Sequence, residues 1–484
     1  MPNKMLCLIR YFYTILMSEK VSLSHFYSLN NKIKDRKCKR EKIMTKEKHA
    51  LSSFQIIIIG FAGIILLGTM VLMLPISTKS RICTPFLDAL FTATSAVCVT
   101  GLVVQDTATY WSFFGQFILL CLIQIGGMGV ITVASSFALL AGRKLSFSQR
   151  NIMQEALSAP QVGGIVKLTG FVIKGTLLFE LLGACIMMPV FCKDYGVKGI
   201  WFAIFHSVSA FCNAGFDLLG INAKFSSLTS YMGNPVINIT IMLLIVIGGI
   251  GFLTWSDVVK YRHHIWEYRM QSKVILSTTL VLILIPTIYF FNVEFSNLPL
   301  QERMLASLFQ SITPRTAGFN TVDFGILSEA GIGIVILLML IGGSPGSTAG
   351  GMKTTTITVL FANAKAVFHR KDETDLFERR VSNETIRTAA TIIVLYVTLF
   401  FCGGVFLSVV EDLPMMTCLF EAASAIGTVG LTLGVTPQLG IVSRFLLIFL
   451  MFFGRVGGLT LIFAAVSGTN KHFSKLPQEK ITVG

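Results

Sequence analysis

Charge is what this chain has least of. Only 13% of its 484 residues are Asp, Glu, Lys or Arg, about half the share of an ordinary soluble protein. That shortage argues against a water-soluble multidomain enzyme. Tryptophan is scarce, at 4. The 10 cysteines show no CxxC pair and no Cys/His ligand spacing, so neither a disulfide framework nor a cysteine-based metal cluster is indicated. Most of them lie in apolar runs, where a thiol acts as a small hydrophobe. There is no Ser/His/Asp set, no HExxH and no pair of acid–base carboxylates, and His263 and His264 merely adjoin in a basic connection. An enzyme is not indicated. What the chain does have is 53% hydrophobic residues, 39 Phe and 42 Gly, with a mean hydropathy of +0.72. That content excludes intrinsic disorder and points to a polytopic α-helical membrane protein.

Eight apolar stretches are long enough to cross a bilayer. They are 50–78, 107–142, 175–192, 225–256, 274–293, 330–352, 388–410 and 445–467. The net charge of +15 is read first as a topology signal. Basic residues gather in residues 1–50, in three alternate connections (Arg143 to Lys167, Lys260 to Lys273, Lys365 to Arg387) and in the tail from 467 to 484, whereas Asp412 to Ser443 holds no Lys or Arg. The positive-inside rule then puts both termini in the cytoplasm and the protein in the cell membrane. The basic N-terminal stretch shows no clear cleavage site and reads as a solvated tail. Met44 offers a second start just before the first strong apolar run.

Each of the other connections contains a short apolar segment: Pro85–Val97, Gly199–Phe211, Gln301–Ile312 and Pro414–Ile426. These are too short to cross and too apolar for ordinary loops, which predicts re-entrant helices buried in protein or lining a wet cavity. One motif recurs at their ends, beginning at Phe91, Phe205, Phe309 and Phe420. Each copy has a hydroxyl residue four places after the Phe, then a glycine (Gly101, Gly215, Gly318, Gly430) followed by Leu or Phe. The period is roughly 100–115 residues. The expected division is a tail (1–50), repeat 1 (51–148), repeat 2 (149–258), repeat 3 (259–366), repeat 4 (367–466) and a C-terminal tail (467–484). In fold class this is an all-α polytopic membrane protein of eight transmembrane helices. Four pseudo-symmetric units of span, re-entrant pore helix, filter loop and span surround one central pore.

Glycines tolerate backbone angles that turn neighbouring carbonyls toward an axis. A ring of carbonyls can replace the hydration shell of a cation, and short helices aimed at it by their C-terminal ends add negative potential. Neutral oxygen dipoles suit a monovalent ion better than a tightly held divalent one. The competing reading is that the glycines serve only close helix packing.

With these motifs in view, the chain resembles the Trk, Ktr and HKT potassium transporter superfamily, and most of all its KtrB branch. The likeness runs from about Leu51 to the C-terminus and rests on the four loops and on Gly342–Lys353. It implies potassium uptake through one pore per subunit, a homodimer, and a cytoplasmic RCK-type nucleotide-binding regulatory ring (KtrA-like). Potassium is then the substrate, with sodium as a candidate activator and no cofactor in this chain. It implies a filter made by the backbone carbonyls of Cys98, Val99, Thr100 and Gly101, of Asn213, Ala214 and Gly215, of Thr316, Ala317 and Gly318, and of Thr428, Val429 and Gly430. A glycine at position 101 accompanies potassium passage in the family, a serine there sodium-favouring relatives. The TVGYG run of tetrameric potassium channels is absent, so a shorter filter is expected.

Gly342, Gly343, Ser344, Pro345, Gly346, Ser347, Thr348, Ala349, Gly350 and Gly351 interrupt an apolar run. The P-loop spacing fails, since Met352 stands where the lysine belongs. Either a kink or a flexible intramembrane gate is expected, and the resemblance supports the gate. Arg455, inside another apolar run, is expensive at that depth. It is expected to face the pore and act with this loop, against a packing or snorkelling role. Lys353 is expected to snorkel. His206, Gln310 and Glu421 are expected to hydrogen-bond the motif loops. Arg315 is expected to bond carbonyls or a carboxylate, and Glu180 to pair with a polar neighbour. Asp217 and Asp323 could draw cations to the outer mouth or be solvated loop charges. The lipid bilayer is an expected partner and nucleic acid is not. A carrier for an organic solute, or for another monovalent cation such as sodium, remains the rival function.

Overall fold

The computed structural model describes residues 52–140, 146–156, 163–221 and 223–465. The basic N-terminal stretch, Arg143 and Lys144, and the C-terminal tail lie outside the described residues.

The described part is helical apart from one small hairpin. Four times in succession a long helix is followed by a short one, a loop and an interrupted one. The first set is α1 (Ser53–Leu72), α2 (Phe86–Val97), α3 (Phe113–Met128) and α4 (Val130–Leu140). After α5 (Phe147–Ala156) come α6 (Ile165–Tyr195), α7 (Lys198–Phe211), α8 (Pro235–Gly249) and α9 (Phe252–Tyr261). The third set is α10 (Met270–Tyr289, prolonged by a π-turn over Phe290–Glu294), α11 (Leu300–Ile312), α12 (Glu329–Leu340) and α13 (Thr354–Phe368). The last is α14 (Asn383–Glu411), α15 (Met415–Gly427), α16 (Ile441–Val456) and α17 (Gly458–Ala465). A hairpin, β1 (Asp375–Leu376) paired antiparallel with β2 (Arg379–Arg380), lies before α14.

The leading helices α1, α6, α10 with its π-turn, and α14 are long and apolar enough to cross a membrane. The helix α6 begins well before the expected 175, so Lys167 and Lys174 stand on the helix and not in a loop. The other four expected spans are not continuous helices. Single glycines with positive φ break three of them: Gly129 (84°), Gly251 (92°) and Gly457 (90°). The break at Gly251 bends α8 against α9 by 98°. The fourth, expected over 330–352, stops at Leu340 and resumes only at Thr354. Average apolarity does not register a glycine that leaves the helical region of backbone space.

The short helices start where the sequence dictates. Pro85, Pro299 and Pro414 precede α2, α11 and α15 with φ of −53°, −54° and −55°, and proline suits a helix entry because no amide hydrogen is needed there. The interrupted helices are capped by side chains: Ser112 for α3, Asn234 for α8 and Ser328 for α12. Side-chain caps of this kind satisfy amide groups that a helix start leaves free.

Glycines within the interrupted helices let them close on the short ones. A β-carbon on Gly126, Gly248 or Gly454 would strike the carbonyl oxygen of Val97, Phe211 or Ile426, each at or next to the end of the short helix of its own set. The motif phenylalanines Phe91, Phe205, Phe309 and Phe420 are all fully buried behind the loops.

Candidate functional site

The four motif loops meet in a closed cycle. A methyl group on Gly101 would lie 2.5 Å from the Ala214 carbonyl oxygen, and one on Gly215 would lie 2.7 Å from that of Ala317. On Gly318 it would press closer still on the Val429 oxygen, and on Gly430 on that of Thr100. Each glycine thus faces the residue before the next, and the fourth returns to the first.

All four glycines have positive φ: 96°, 68°, 80° and 93° in chain order. Two places earlier, Val99, Asn213, Thr316 and Thr428 are also left-handed, with φ of 57°, 59°, 70° and 52°. The residues between, Thr100, Ala214, Ala317 and Val429, are not. Alternating handedness of this kind gathers successive amide hydrogens on one side of the chain.

The hydrogen bonds show which side. The N–H groups of Thr100, Ala214 and Val429 donate to the carbonyls of Ser95, Ser209 and Ser424, each at 2.8 Å, and that of Ala317 to Thr313 at 2.9 Å. Gly101 and Gly430 donate to the hydroxyls of Ser95 and Ser424, both at 3.0 Å. The Ser209 hydroxyl donates to Phe216 O at 2.7 Å, and that of Thr313 to Phe319 O. These acceptors and donors are the hydroxyl residues four places after the motif phenylalanines. In a planar trans peptide the carbonyl points opposite to the N–H. The carbonyls of Val99, Asn213, Thr316 and Thr428 therefore face away from the short helices. Asn213 ties two loops together: its amide oxygen accepts from the Thr316 hydroxyl at 3.2 Å while its nitrogen donates to Ala210 O at 3.0 Å. Cys98 is buried at the C-terminal end of α2.

The residues from Gly342 to Gly351 form a second assembly. Ser344 N–H donates to Gly249 O (3.0 Å), Thr348 N–H to Gly248 O (3.3 Å) and Gly351 N–H to Gly454 O (3.1 Å). Phe252 N–H donates to Gly346 O at 2.7 Å. Gly343 accepts from Thr354 N–H at 3.1 Å, and Ser347 closes on Ser344 O at 2.7 Å. A β-carbon on Gly350 would strike the Thr428 hydroxyl, so the segment packs directly against the fourth motif loop. Arg455 donates through one guanidinium nitrogen to Thr348 O, and through the other to Gly126 O and to Gly127 O (3.1 Å). The loop is thus stapled to helices of the other three sets. Pro345 and Ala349 lie within it.

Some of the remaining expectations hold, and those for Lys353, Arg315 and Gln310 change. Lys353 does not snorkel: its ammonium turns back to Ala349 O (2.8 Å) and Gly350 O (3.4 Å). Arg315 bonds the hydroxyl of Thr279 at 3.2 Å, not a carbonyl or carboxylate. His206 and Glu421 bond their loops, but Gln310 does not. Asp217 and Asp323 each accept the N–H two residues on, from Leu219 (3.0 Å) and Gly325 (2.9 Å). Glu180 accepts from Gln124 Nε2 at 3.2 Å, with the Cys212 thiol 3.9 Å from its other oxygen.

Sequence reasoning missed the ion pair of Arg444 with Asp88 at 2.7 Å. A lone acid in the first short helix and a lone base just past the Lys/Arg-free connection were its only signals. It also missed Asp106, which caps the turn at Thr109 (2.8 Å) and accepts from Phe225 N–H of the second connection (3.0 Å).

A family model for cation transport proteins (TrkH) matches residues 29–475. The chain belongs to the TrkH/KtrB cation transport family. This makes it a multi-pass membrane transporter and not an enzyme. Among relatives of this TrkH/KtrB-family chain, the potassium/sodium uptake protein NtpJ of Enterococcus hirae is 40% identical over 455 residues, covering 91% of this chain and 100% of that protein. The Ktr system potassium uptake protein B of Bacillus subtilis is 40% identical over 417 residues, covering 85% and 92%. The crystal structure of the potassium transporter TrkH from Vibrio parahaemolyticus shares the fold, with a TM-score of 0.67 at 19% identity over 86% of each chain.

Proposed function

We propose that this chain carries potassium into the cell as the membrane subunit of a Ktr-type system. The observation that carries the reading is the closed cycle of four positive-φ glycines, each facing the carbonyl before the next. A passing cation exchanges water for the carbonyls of residues 98–101, 213–215, 316–318 and 428–430. The four sets of helices are four pseudo-symmetric repeats about one pore, and the interrupted helices complete eight crossings. The segment from Gly342 to Gly351 closes the path on the far side of the ring. Arg455 holds it shut and raises the barrier to cations. Both termini lie in the cytoplasm, where a KtrA-like RCK ring regulates a homodimer. The likeness to a potassium/sodium uptake protein and to a Ktr system potassium uptake protein supports the substrate and the system.

The second reading is uptake of another monovalent cation, sodium above all. It is favoured by the sodium in the name of the Enterococcus hirae relative. Expression in cells lacking potassium uptake, with and without external sodium, separates the two. Growth at low potassium is expected, and correctly inserted protein without rescue would defeat the proposal. Rescue only when sodium is present would make sodium an activator. Competition of uptake by rubidium, and not by small organic solutes, would set aside an organic-solute carrier.

A further inference from the structure

The order of the cycle sets the second and fourth motif loops across from each other, since Gly101 faces the second, Gly215 the third, Gly318 the fourth and Gly430 the first. The four copies differ in the residue just after the motif phenylalanine: Thr92, His206, Gln310 and Glu421. In the second copy, His206 Nε2 accepts from the N–H of Leu218 at 3.3 Å. An N–H can only donate, so the other ring nitrogen carries the proton and donates to Phe202 O at 2.7 Å. In the fourth copy, Glu421 accepts from the N–H of Leu433 at 3.3 Å and from the Thr432 hydroxyl, while its other oxygen accepts from Thr436 at 2.7 Å.

Leu218 and Leu433 stand at the same place, three residues past the ring glycine. The remaining copies lack this brace. Thr92 donates to Asp88 O within its own helix at 2.8 Å, and Gln310 sends no hydrogen bond to its loop. One diagonal of the ring is therefore held from behind by a buried polar side chain, and the other diagonal is not held in this way.

We propose that His206 and Glu421 are positioning residues that set the ion preference of the ring, giving it twofold rather than fourfold mechanical symmetry. The inference rests on the reading of the ring as an ion filter. A smaller cation is bound well only if opposing carbonyls close in on it, and two opposed loops tethered from behind resist that contraction. Loss of either tether lets the ring accommodate sodium better.

The test uses the full chain in transport-deficient cells, with rubidium and sodium uptake measured side by side. His206→Leu and Glu421→Leu should each lower the rubidium-to-sodium ratio roughly 2- to 10-fold, the span one hydrogen bond is worth, while rubidium uptake persists. His206→Gln, whose amide oxygen can still accept from Leu218, should recover most of the ratio. Thr92→Val and Gln310→Leu should leave it at the wild-type value. Thr432→Val deletes one donor to Glu421 without touching a short helix, so it serves if a leucine variant fails to reach the membrane. It should give a smaller shift in the same direction. An unchanged ratio in the inserted leucine variants, an unchanged ratio in Thr432→Val where they do not insert, or an equal shift in Gln310→Leu would each overturn the inference. Failure of the wild-type chain to take up rubidium at all would instead sink the filter reading on which it rests.

Discussion

Arg444 donates to Asp88 at 2.7 Å and so ties the start of α16 to the first short helix. The pair joins the fourth set to the first. Its side chains are only 19% and 13% exposed. Arg444 also donates to Leu439 O (2.8 Å) and Pro437 O (3.0 Å), and Asp88 accepts from Gln105 at 3.0 Å. Removing one partner strands the other in a dry place. Arg444→Met should therefore destabilise the protein by about 3–5 kcal/mol. Asp88→Asn, which keeps an acceptor for Gln105, should cost about 1–3 kcal/mol. Thermal unfolding of the detergent-solubilised protein measures both. An Arg444→Met variant melting with the wild type would show that the pair does not hold the two sets together.

Gly101→Ser tests the ring directly. A β-carbon there would sit 2.5 Å from Ala214 O and 3.2 Å from the α-carbon of Gly215, at a φ of 96° that side chains rarely adopt. The neighbouring loop must move. Left-handed backbone alone costs a residue with a side chain about 1–2 kcal/mol. The expected outcome is lower potassium uptake and a potassium-to-sodium ratio shifted toward sodium, read from competition in whole cells. A variant that transports with the wild-type ratio would contradict the assignment of this glycine to the filter.

The short helices were legible almost to the residue. The sequence segment Pro85–Val97 became Phe86–Val97, and Gln301–Ile312 became Leu300–Ile312. Proline marks the starts of three of the four and the motif the ends of all, and both signals are local. The breaks in the interrupted helices of the first, second and fourth sets were not legible, because Gly129, Gly251 and Gly457 sit inside runs whose average apolarity suits an unbroken span. Partners were the least legible. Nothing near Arg315 in the chain points to Thr279, and nothing near Arg455 points to Gly126. Such contacts are decided by which sets meet in space. Even so, the cost of a guanidinium at that depth called for a partner for Arg455, and the structure supplies the carbonyls of Thr348, Gly126 and Gly127.

Arg455 bridges Thr348 O on the loop to the carbonyls of Gly126 and Gly127 on α3. A guanidinium can do this because its donors fan out in a plane, whereas an ammonium is a point charge. Arg455→Ala should raise ion flux by freeing the loop and removing a positive charge from the path. Arg455→Lys should keep the charge but lose the bridge, giving an intermediate flux. Replacing Gly342–Gly351 with a short linker should raise flux as well. Rubidium uptake into vesicles, normalised to protein, checks all three, and equal flux in Arg455→Ala and wild type would rule out this gate.

The last expectation concerns external pH. Asp217 lies two residues past Gly215, in the connection between α7 and α8. Burial pushes its carboxyl up to about 7; the Leu219 N–H opposes that shift and the nearby Asp106 charge adds to it. A carboxyl raised this far is neutral below about pH 7 and charged above it. If its charge draws cations toward the ring, the apparent affinity for potassium should be full near pH 8 and fall as the outside is acidified through pH 7. Asp217→Asn should abolish that dependence and hold the acid-side affinity throughout. Uptake measured at several external pH values, with internal pH clamped, decides it. A wild-type profile flat across pH 6 to 8, or one that Asp217→Asn leaves unchanged, would return Asp217 to the purely structural role its bond to Leu219 already describes.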